Sequence, residues 1–329
     1  MNISVIISVW KRPVQLELIL SELDSQAKDN SLHLEVIVSD SHSGKEIDDV
    51  VADNIHKKKN INIIHQHTKN ILSAKRNFGA SLAHGDYLIF LDDDCIPASG
   101  YISSLLNYLK KMNSKSVLCG EVRFENELIE TSNYYRYRNS LHPKFSDSPD
   151  ISMNAWTFVA MNCVLDRKAF SSGIVSYNEN FIGYGCEDHE FGWQLEKNDF
   201  KIIFADFKIL HHEYSGDIEG YTKKIRATAR DGMNVLSKVR PEMFSTNKKL
   251  FLVEKIFSKH KTFSKICQSI FFNKFIFKKI IQFLKKTDAN KKLYFPILYR
   301  YVLISAYIHG IESVAPQKQM ICLRTGIYR

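Results

Sequence analysis

The sequence predicts an α/β fold, a Rossmann-like sheet flanked by helices, followed by a helical and strongly basic C-terminal region. Three observations predict it. Short, mostly apolar runs recur at 3–9 (ISVIISV), 34–38 (LEVIV) and 87–91 (YLIFL). Stretches with helical spacing separate them. Several runs end in polar tips, Trp10-Lys11-Arg12-Pro13, Asp40-Ser41-His42-Ser43-Gly44 and Asp92-Asp93-Asp94. Apolar strands alternating with helices imply a sheet covered on both faces. In such sheets ligands gather beyond the carboxyl ends of the strands, so these tips are expected at one edge.

Each element follows from its residues. Pro13 suits a first helical turn, where its missing N–H is not needed, and Leu16, Ile19, Leu20 and Leu23 follow at helical spacing. Residues 61–65 read as a third strand. Residues 71–84 read as a helix with Leu72, Phe78 and Leu82 inward, stopped by Gly85-Asp86 before the strand 87–91. Further strands are expected at 116–124, 156–165 and 202–205. The aromatic and polar stretch 131–153 (with NYYRYRNS) reads as a mobile loop. Glu187-Asp188 opens a helix, because acids in a first turn are favoured by the helix dipole. From about 217 the pattern is helical. Residues 294–311 are rich in apolar side chains, but Pro296 and Arg300 interrupt a run that would need about 20 apolar residues to span a bilayer. A packed or interfacial helix is expected there.

Bulk properties set the frame. A chain of 329 residues, 44% apolar and 25% charged, holds one large domain or one domain and an appendage. The run 3–9 is too short for a secretory signal. Six cysteines with no Cys-x-x-Cys spacing fit reduced, buried thiols of the cytoplasm. The net charge of +9 is concentrated: residues 248–292 hold thirteen lysines against Glu254 and Asp288, a local +11, which leaves the remainder at −2. That segment reads either as an amphipathic helix on an anionic membrane or as a helical domain with a solvated lysine face. Nucleic-acid binding is not expected, since no recognition module accompanies the charge.

The chemistry centres on acids at strand ends. Three consecutive carboxylates repel one another unless a cation compensates, and Mg²⁺ or Mn²⁺ prefers such oxygen ligands, often bridging to phosphates. A carboxylate of the Glu187-Asp188 pair can accept a proton from an attacking hydroxyl. His211-His212 follows a strand, where imidazole can complete a metal site begun by aspartate. Asp40 can accept from a nucleobase N–H or close an Asx-turn on itself.

In this order the motifs resemble family 2 glycosyltransferases of the GT-A fold. ISVIISVWKRP is similar to that family's first strand and turn. VIVSDSHSG is similar to its second strand, and SAKRNFGASLAHGDYLIFLDDDCIP resembles its Ala-Arg-Asn-x-Gly helix running into the Asp-x-Asp strand. GYGCEDHEFGWQL and HHEYSG resemble the Glu-Asp helix and His-x-Glu segment, especially of bacterial capsule synthases such as chondroitin polymerase. The likeness covers about residues 3–215.

It implies a GT-A domain over 1–215 and a lysine-rich helical region over 216–329. It implies a UDP-sugar donor, with Asp40 reading uracil, Trp10 beside the base, and Arg12, Arg76, Asp92 and Asp93 at the nucleotide. It implies a divalent metal on Asp94 and His211, with His212 the fallback, and Asp92 at the ribose or the metal. Asp188 is the implied base, Glu187 the implied sugar contact, and inversion the implied outcome. A hexose or N-acetylhexosamine would pass to a saccharide or lipid-linked acceptor in surface polysaccharide or lipopolysaccharide synthesis, in the cytoplasm or peripherally on the inner membrane face. Ala160-Met161-Asn162 departs from the family's Gly-Gly-Asn, and no tryptophan follows Trp193, so the processive Gln-x-x-Arg-Trp motif is missing. A nucleotidyltransferase would need a glycine-rich loop at residues 10–13, where none stands. The other alternative, a non-catalytic membrane- or partner-binding protein with a degenerate transferase domain, is opposed by the intact acids.

Overall fold

The computed structural model describes every residue except 43, 148–152, 214–215, 248–268 and 313–329. It divides into two compact units. The first comprises residues 1–125, 139–179 and 188–213. The second comprises 126–138, 180–187 and the described part of 214–329.

The first unit is built on a sheet of eight strands: β1 (Ile3–Val9), β2 (Leu34–Asp40), β3 (Ile61–His67), β4 (Tyr87–Asp92), β5 (Cys95–Pro97), β6 (Ser116–Arg123), β7 (Asn162–Asp166) and β8 (Lys201–His211). Their spatial order is β3-β2-β1-β4-β7-β6-β8-β5. The first four are parallel neighbours, β7 runs antiparallel to β4 and β6, and β8 pairs parallel with β6 and antiparallel with β5. The sheet is therefore mixed.

Both faces are covered, which is why the strands are so apolar. On one face Ile3, Val5, Ile7 and Val9 join Leu16, Ile19, Leu20 and Leu23 of α1 (Pro13–Asp29), Ile47 and Val51 of α2 (Glu46–Lys57), and Ile102 and Leu105 of α4 (Tyr101–Leu109). On the other, Ile6 and Phe90 join Ala80 of α3 (Leu72–Leu82), Ala169 of α7 (Lys168–Ser171) and Phe191 and Leu195 of α8 (Glu187–Lys197). Each fully buried aliphatic side chain contributes roughly 1.5–3 kcal/mol. Gly79 lets α3 lie close on β1, since a Cβ there would come within 2.4 Å of Ile6.

Three expectations are corrected. Strand β7 starts at Asn162, and residues 155–157 form a turn. Strand β8 does not stop at 205 but runs on to His211. The stretch 131–153, expected to be a mobile loop, holds helix α6 (Asn133–Asn139), which follows α5 (Asn126–Thr131), although residues 148–152 lie outside the described ones.

In the second unit Tyr134, Tyr135 and Tyr137 of α6 are buried. Tyr137 stacks on Tyr299 at 4.7 Å and the Arg138 guanidinium lies 4.0 Å from the Tyr221 ring. Burial of aromatics with a satisfied polar tip explains why so polar a sequence is ordered. This unit also contains α9 (Ile218–Ala227), which passes through a π turn (Thr228–Gly232) into α10 (Met233–Val239). A short α11 (Met243–Thr246) follows, then α12 (Lys274–Lys286) and α13 (Pro296–Glu312). Among the described residues no helix is long and apolar enough to cross a membrane, and α13 buries Tyr299, Val302, Ala306 and Ile308.

Candidate active site

Strand register gathers the predicted residues at one edge. Val9 stands opposite Asp40, Ser8 opposite Asp92, and Asp40 opposite His67. The polar tips that follow β1, β2 and β4 therefore emerge side by side, as parallel topology requires.

The three consecutive aspartates face different partners. Asp92 accepts from Arg76 Nη2 at 2.8 Å. Asp93 accepts the Trp10 backbone N–H at 2.7 Å and pairs with Arg12. Asp94 Oδ2 lies 2.7 Å from Arg12 Nη1 and 3.3 Å from His211 Nε2. Burial drives the Asp93 carboxyl up to about 6, Arg12 opposes that, and the neighbouring Asp94 adds to it. Burial tends to lower Arg12, but Asp94 and Asp93 outweigh it and hold the guanidinium's affinity for its proton above the usual value.

His211 reaches Asp94 through strand pairing. Cys95 of β5 stands opposite His211 of β8, and the His212 backbone N–H donates to the Asp94 carbonyl at 2.7 Å. Consecutive residues on a strand point to opposite faces, and it is His211 that turns toward the Asp94 carboxylate. Its ring is buried against Phe124 at 5.0 Å, and no hydrogen bond reaches Nδ1. His212 is less buried, and desolvation lowers its proton affinity.

Asp94 Oδ2 and His211 Nε2 fit a divalent cation. One carboxylate oxygen and one imidazole nitrogen converge within 3.3 Å, the separation of adjacent ligands around an ion bound at about 2.0–2.2 Å. The donor set suits Mn²⁺ better than Mg²⁺, which favours oxygen.

Arg76 is 2% exposed and its guanidinium lies 5.0 Å from the Tyr177 ring. Burial raises the Tyr177 hydroxyl well above its usual range, and the Asp188 carboxylate adds to that rise. The Tyr177 ring packs on the Arg76 that holds Asp92. The Asp188 side chain is 31% exposed, and its Oδ1 accepts the His189 N–H at 2.9 Å. Glu187, which opens α8, is 8% exposed.

Trp10 is 47% exposed at the tip of β1, with Lys11 Nζ 5.1 Å from its ring. Asp40 is fully buried. Its Oδ1 accepts the His42 N–H at 2.8 Å, an Asx-turn, and its Oδ2 faces His65 and His67 at 3.7 Å each. Burial raises this carboxyl, but His65, the His42 N–H and the charge of His67 outweigh burial and leave it below the usual range. Asn162 is fully buried: Tyr101 donates to it, and it donates to the carbonyls of Glu121 and Phe207. Its role is to lock β7 to its neighbours.

Sequence reasoning missed Lys75, Tyr177 and the histidines of β3. Lys75 is 4% exposed, desolvation lowers its proton affinity, and Nζ donates to the Val9 carbonyl at 2.8 Å. Lys75 lies on the buried face of α3 with Ser73, Ala74, Arg76, Gly79 and Ala80, and that face carries no apolar periodicity from which its burial could be read.

Residues 4–173, more than half of the chain, match the model of glycosyl transferase family 2. No curated protein matches the sequence. Among solved structures, S. aureus TarS 1–349 in complex with UDP is 14% identical and aligns over 95% of this chain and 91% of that one, with a TM-score of 0.51. A longer S. aureus TarS structure is 15% identical over 95% of this chain and 55% of that one, with a TM-score of 0.50. GalNAc-T7 with UDP, GalNAc and Mn²⁺ is 13% identical over 70% and 48%, with a TM-score of 0.47. The mixed sheet flanked by helices is the GT-A architecture, and the chain belongs to glycosyl transferase family 2 and is a glycosyltransferase.

Proposed function

We propose that the protein is a metal-dependent, inverting enzyme that moves a hexose or N-acetylhexosamine from a UDP-sugar to a saccharide or lipid-linked acceptor. The observation that carries this reading is the convergence of Asp94 Oδ2 and His211 Nε2, at 3.3 Å, beside the paired Arg12 and Asp93. S. aureus TarS, which shares the fold, was solved with UDP, and this favours uridine as the nucleoside. Trp10 offers a ring to the base, and Asp40 an acceptor for its N–H. Arg76 fixes Asp92 at the ribose.

A divalent cation on Asp94 and His211 would supply charge to offset the departing diphosphate. Arg12, relieved of Asp94 Oδ2, would keep its pair with Asp93 and would turn its remaining N–H groups to phosphate oxygens. Asp188 takes the proton from the acceptor hydroxyl as that oxygen attacks the anomeric carbon from the face opposite the leaving group. Glu187 orients a sugar hydroxyl. The setting we propose is surface polysaccharide or lipopolysaccharide synthesis at the inner face of the cytoplasmic membrane, with α12 touching anionic lipid.

Calorimetric titration with UDP, GDP, CDP and ADP, each with and without Mn²⁺, tests the donor site. UDP alone should bind, and binding should weaken at least tenfold without Mn²⁺ or in Asp94→Asn. Preference for another nucleotide in folded protein overturns the donor assignment.

A further inference from the structure

A second cluster of metal-ligating groups stands at the same sheet edge, two strands away from β4. His65 and His67 are two residues apart on β3, so both project from one face of the strand. Asp40 lies opposite His67 across the parallel β2–β3 pair. Asp48 reaches in from the first turn of α2. Asp48 Oδ1 lies 3.1 Å from His67 Nε2 and 3.6 Å from His65 Nδ1. Asp40 Oδ2 lies 3.7 Å from His65 Nε2 and 3.7 Å from His67 Nδ1. One ligand atom from each of the four residues can be chosen so that all lie within 4.8 Å of one another.

Two buried atoms in this cluster lack the hydrogen bonds that burial demands. Asp40 Oδ2 and His65 Nε2 have no partner, and they face each other at 3.7 Å. Asp40 is fully buried, so its orphaned carboxylate oxygen cannot turn to water. Leaving a buried polar group unsatisfied costs about 1–3 kcal/mol, and more when it is charged. A cation between the two histidines and two aspartates would satisfy both orphans at once.

We infer that Asp40, Asp48, His65 and His67 form a transition-metal site distinct from the Asp94–His211 pair. Two imidazole nitrogens and two carboxylate oxygens are a zinc-class tetrahedral set, with bonds of about 2.0–2.2 Å. Mg²⁺ is disfavoured because half of the donors are nitrogen. Three ligands come from rigid neighbouring elements, β2 and β3, and the fourth from a helix end, so closure around the ion is a contraction of about an ångström among side chains. The site also bears on donor binding, a consequence that rests on the reading of Asp40 as the acceptor for the base. An ion on Asp40 Oδ2 removes that acceptor, so occupancy of this site opposes nucleotide binding.

The test is titration of the full chain with Zn²⁺ and, for its visible spectrum, with Co²⁺, in the absence of nucleotide. The variants are His67→Gln, Asp48→Asn and, for the other site, His211→Gln. Asp48 and His67 are partly exposed, so their substitution spares the core. Wild-type protein should bind one ion with a tetrahedral cobalt spectrum, and His211→Gln should retain it. His67→Gln and Asp48→Asn should each weaken that event by about tenfold or more, the scale set by loss of even a supporting partner. An unchanged affinity in folded His67→Gln and Asp48→Asn overturns the site, as does loss of the tetrahedral signal in His211→Gln alone. A separate arm adds UDP. Zinc at the site should raise the apparent Kd for UDP in wild type and not in His67→Gln. If zinc binds as stated and UDP affinity does not move, the metal site stands and the reading of Asp40 as the base acceptor fails.

Discussion

Asp92, Asp93 and Asp94 are adjacent in the chain, yet Asp92 is compensated by Arg76, while Asp93 and Asp94 share Arg12, aided by the Trp10 N–H and by His211 respectively. Arg12 is therefore the cation that answers both Asp93 and Asp94. Removing it leaves Asp93 and Asp94, each 5% exposed, without their counter-charge. Breaking a fully buried pair costs about 3–5 kcal/mol. Arg12 is itself 37% exposed, so solvent screening brings the expected loss in Arg12→Ala nearer to about 2 kcal/mol. Saturating Mn²⁺ should raise the melting temperature of this variant more than that of wild type, because a ligand stabilises the state that binds it. Equal Mn²⁺ shifts, measured by scanning fluorimetry, would place the ion elsewhere. Asp188→Asn should behave differently. The amide keeps the size and the hydrogen bond to His189 but cannot take a proton. Transfer should fall by about 10²–10⁴, the range attributed to a general base, while the Kd for UDP stays within twofold. Near-normal turnover would remove Asp188 from that role.

At the level of elements, helix α9 carries a sharp test. Asp217 caps it, accepting the Gly220 N–H at 2.7 Å and Lys285 Nζ at 2.8 Å. Asp217→Ala should cost about 1 kcal/mol, the usual cost of a lost N-cap, and Asp217→Asn less, since asparagine also caps. Burial raises the Asp217 carboxyl, but Lys285 and the capped N–H outweigh it and hold it below its usual value. The folded pKa is thus depressed. Its stabilisation is whole above about pH 4, near the ordinary aspartate value, and drains away as pH falls through the folded value. Hydrogen-exchange protection in the first turn of α9 should drop in that window in wild type and stay level in Asp217→Asn. Gly232 is constrained in another way. A Cβ there would sit 2.1 Å from the Gly185 carbonyl oxygen, so Gly232→Ala must displace the turn ahead of Glu187-Asp188 and should lower turnover without touching an acid. The elements differ in how plainly the sequence spelled them. Strands β1, β2 and β4 were legible because sheet faces covered on both sides demand continuous apolar runs. The far half of β8 was not. Its pairing with β6 skips from Gly120–Ala205 to Glu121–Lys208, and that bulge breaks the alternation just before the segment that delivers His211. Helix α6 looks like a loop in the sequence because tyrosine and arginine are polar locally, and the stacking partner of Tyr137 lies 162 positions away at Tyr299. The acids of the site were legible at strand ends, whereas Lys75, His65 and His67 take their meaning only from strand neighbours.

Over the whole molecule, charge is segregated: +11 within residues 248–292 against −2 for the remainder. Residues 248–268 lie outside the described ones, but α12 shows how the rest of the segment is used. Phe277, Ile281 and Leu284 are buried, and Lys285 is committed to Asp217 and Glu219. Phe271 and Phe275 are 60% and 70% exposed, and Lys274, Lys278 and Lys279 are exposed with them. Exposed aromatics beside lysines suit an interface with anionic lipid, where rings enter the headgroup boundary and ammonium groups stay at the surface. At about 1 kcal/mol for each lysine near such a surface, Lys274→Ala/Lys278→Ala/Lys279→Ala should weaken binding to phosphatidylglycerol vesicles by roughly 100-fold. Phe271→Ser/Phe275→Ser should weaken it as well, but with less change in salt dependence, because it removes apolar contact rather than charge. Lys285→Ala should leave vesicle binding alone, since its ammonium already answers to two carboxylates. Co-sedimentation at two ionic strengths separates these effects. Binding that ignores lipid charge, or that survives the triple substitution, would assign the lysines to solvent and leave the enzyme to meet its acceptor without a membrane surface.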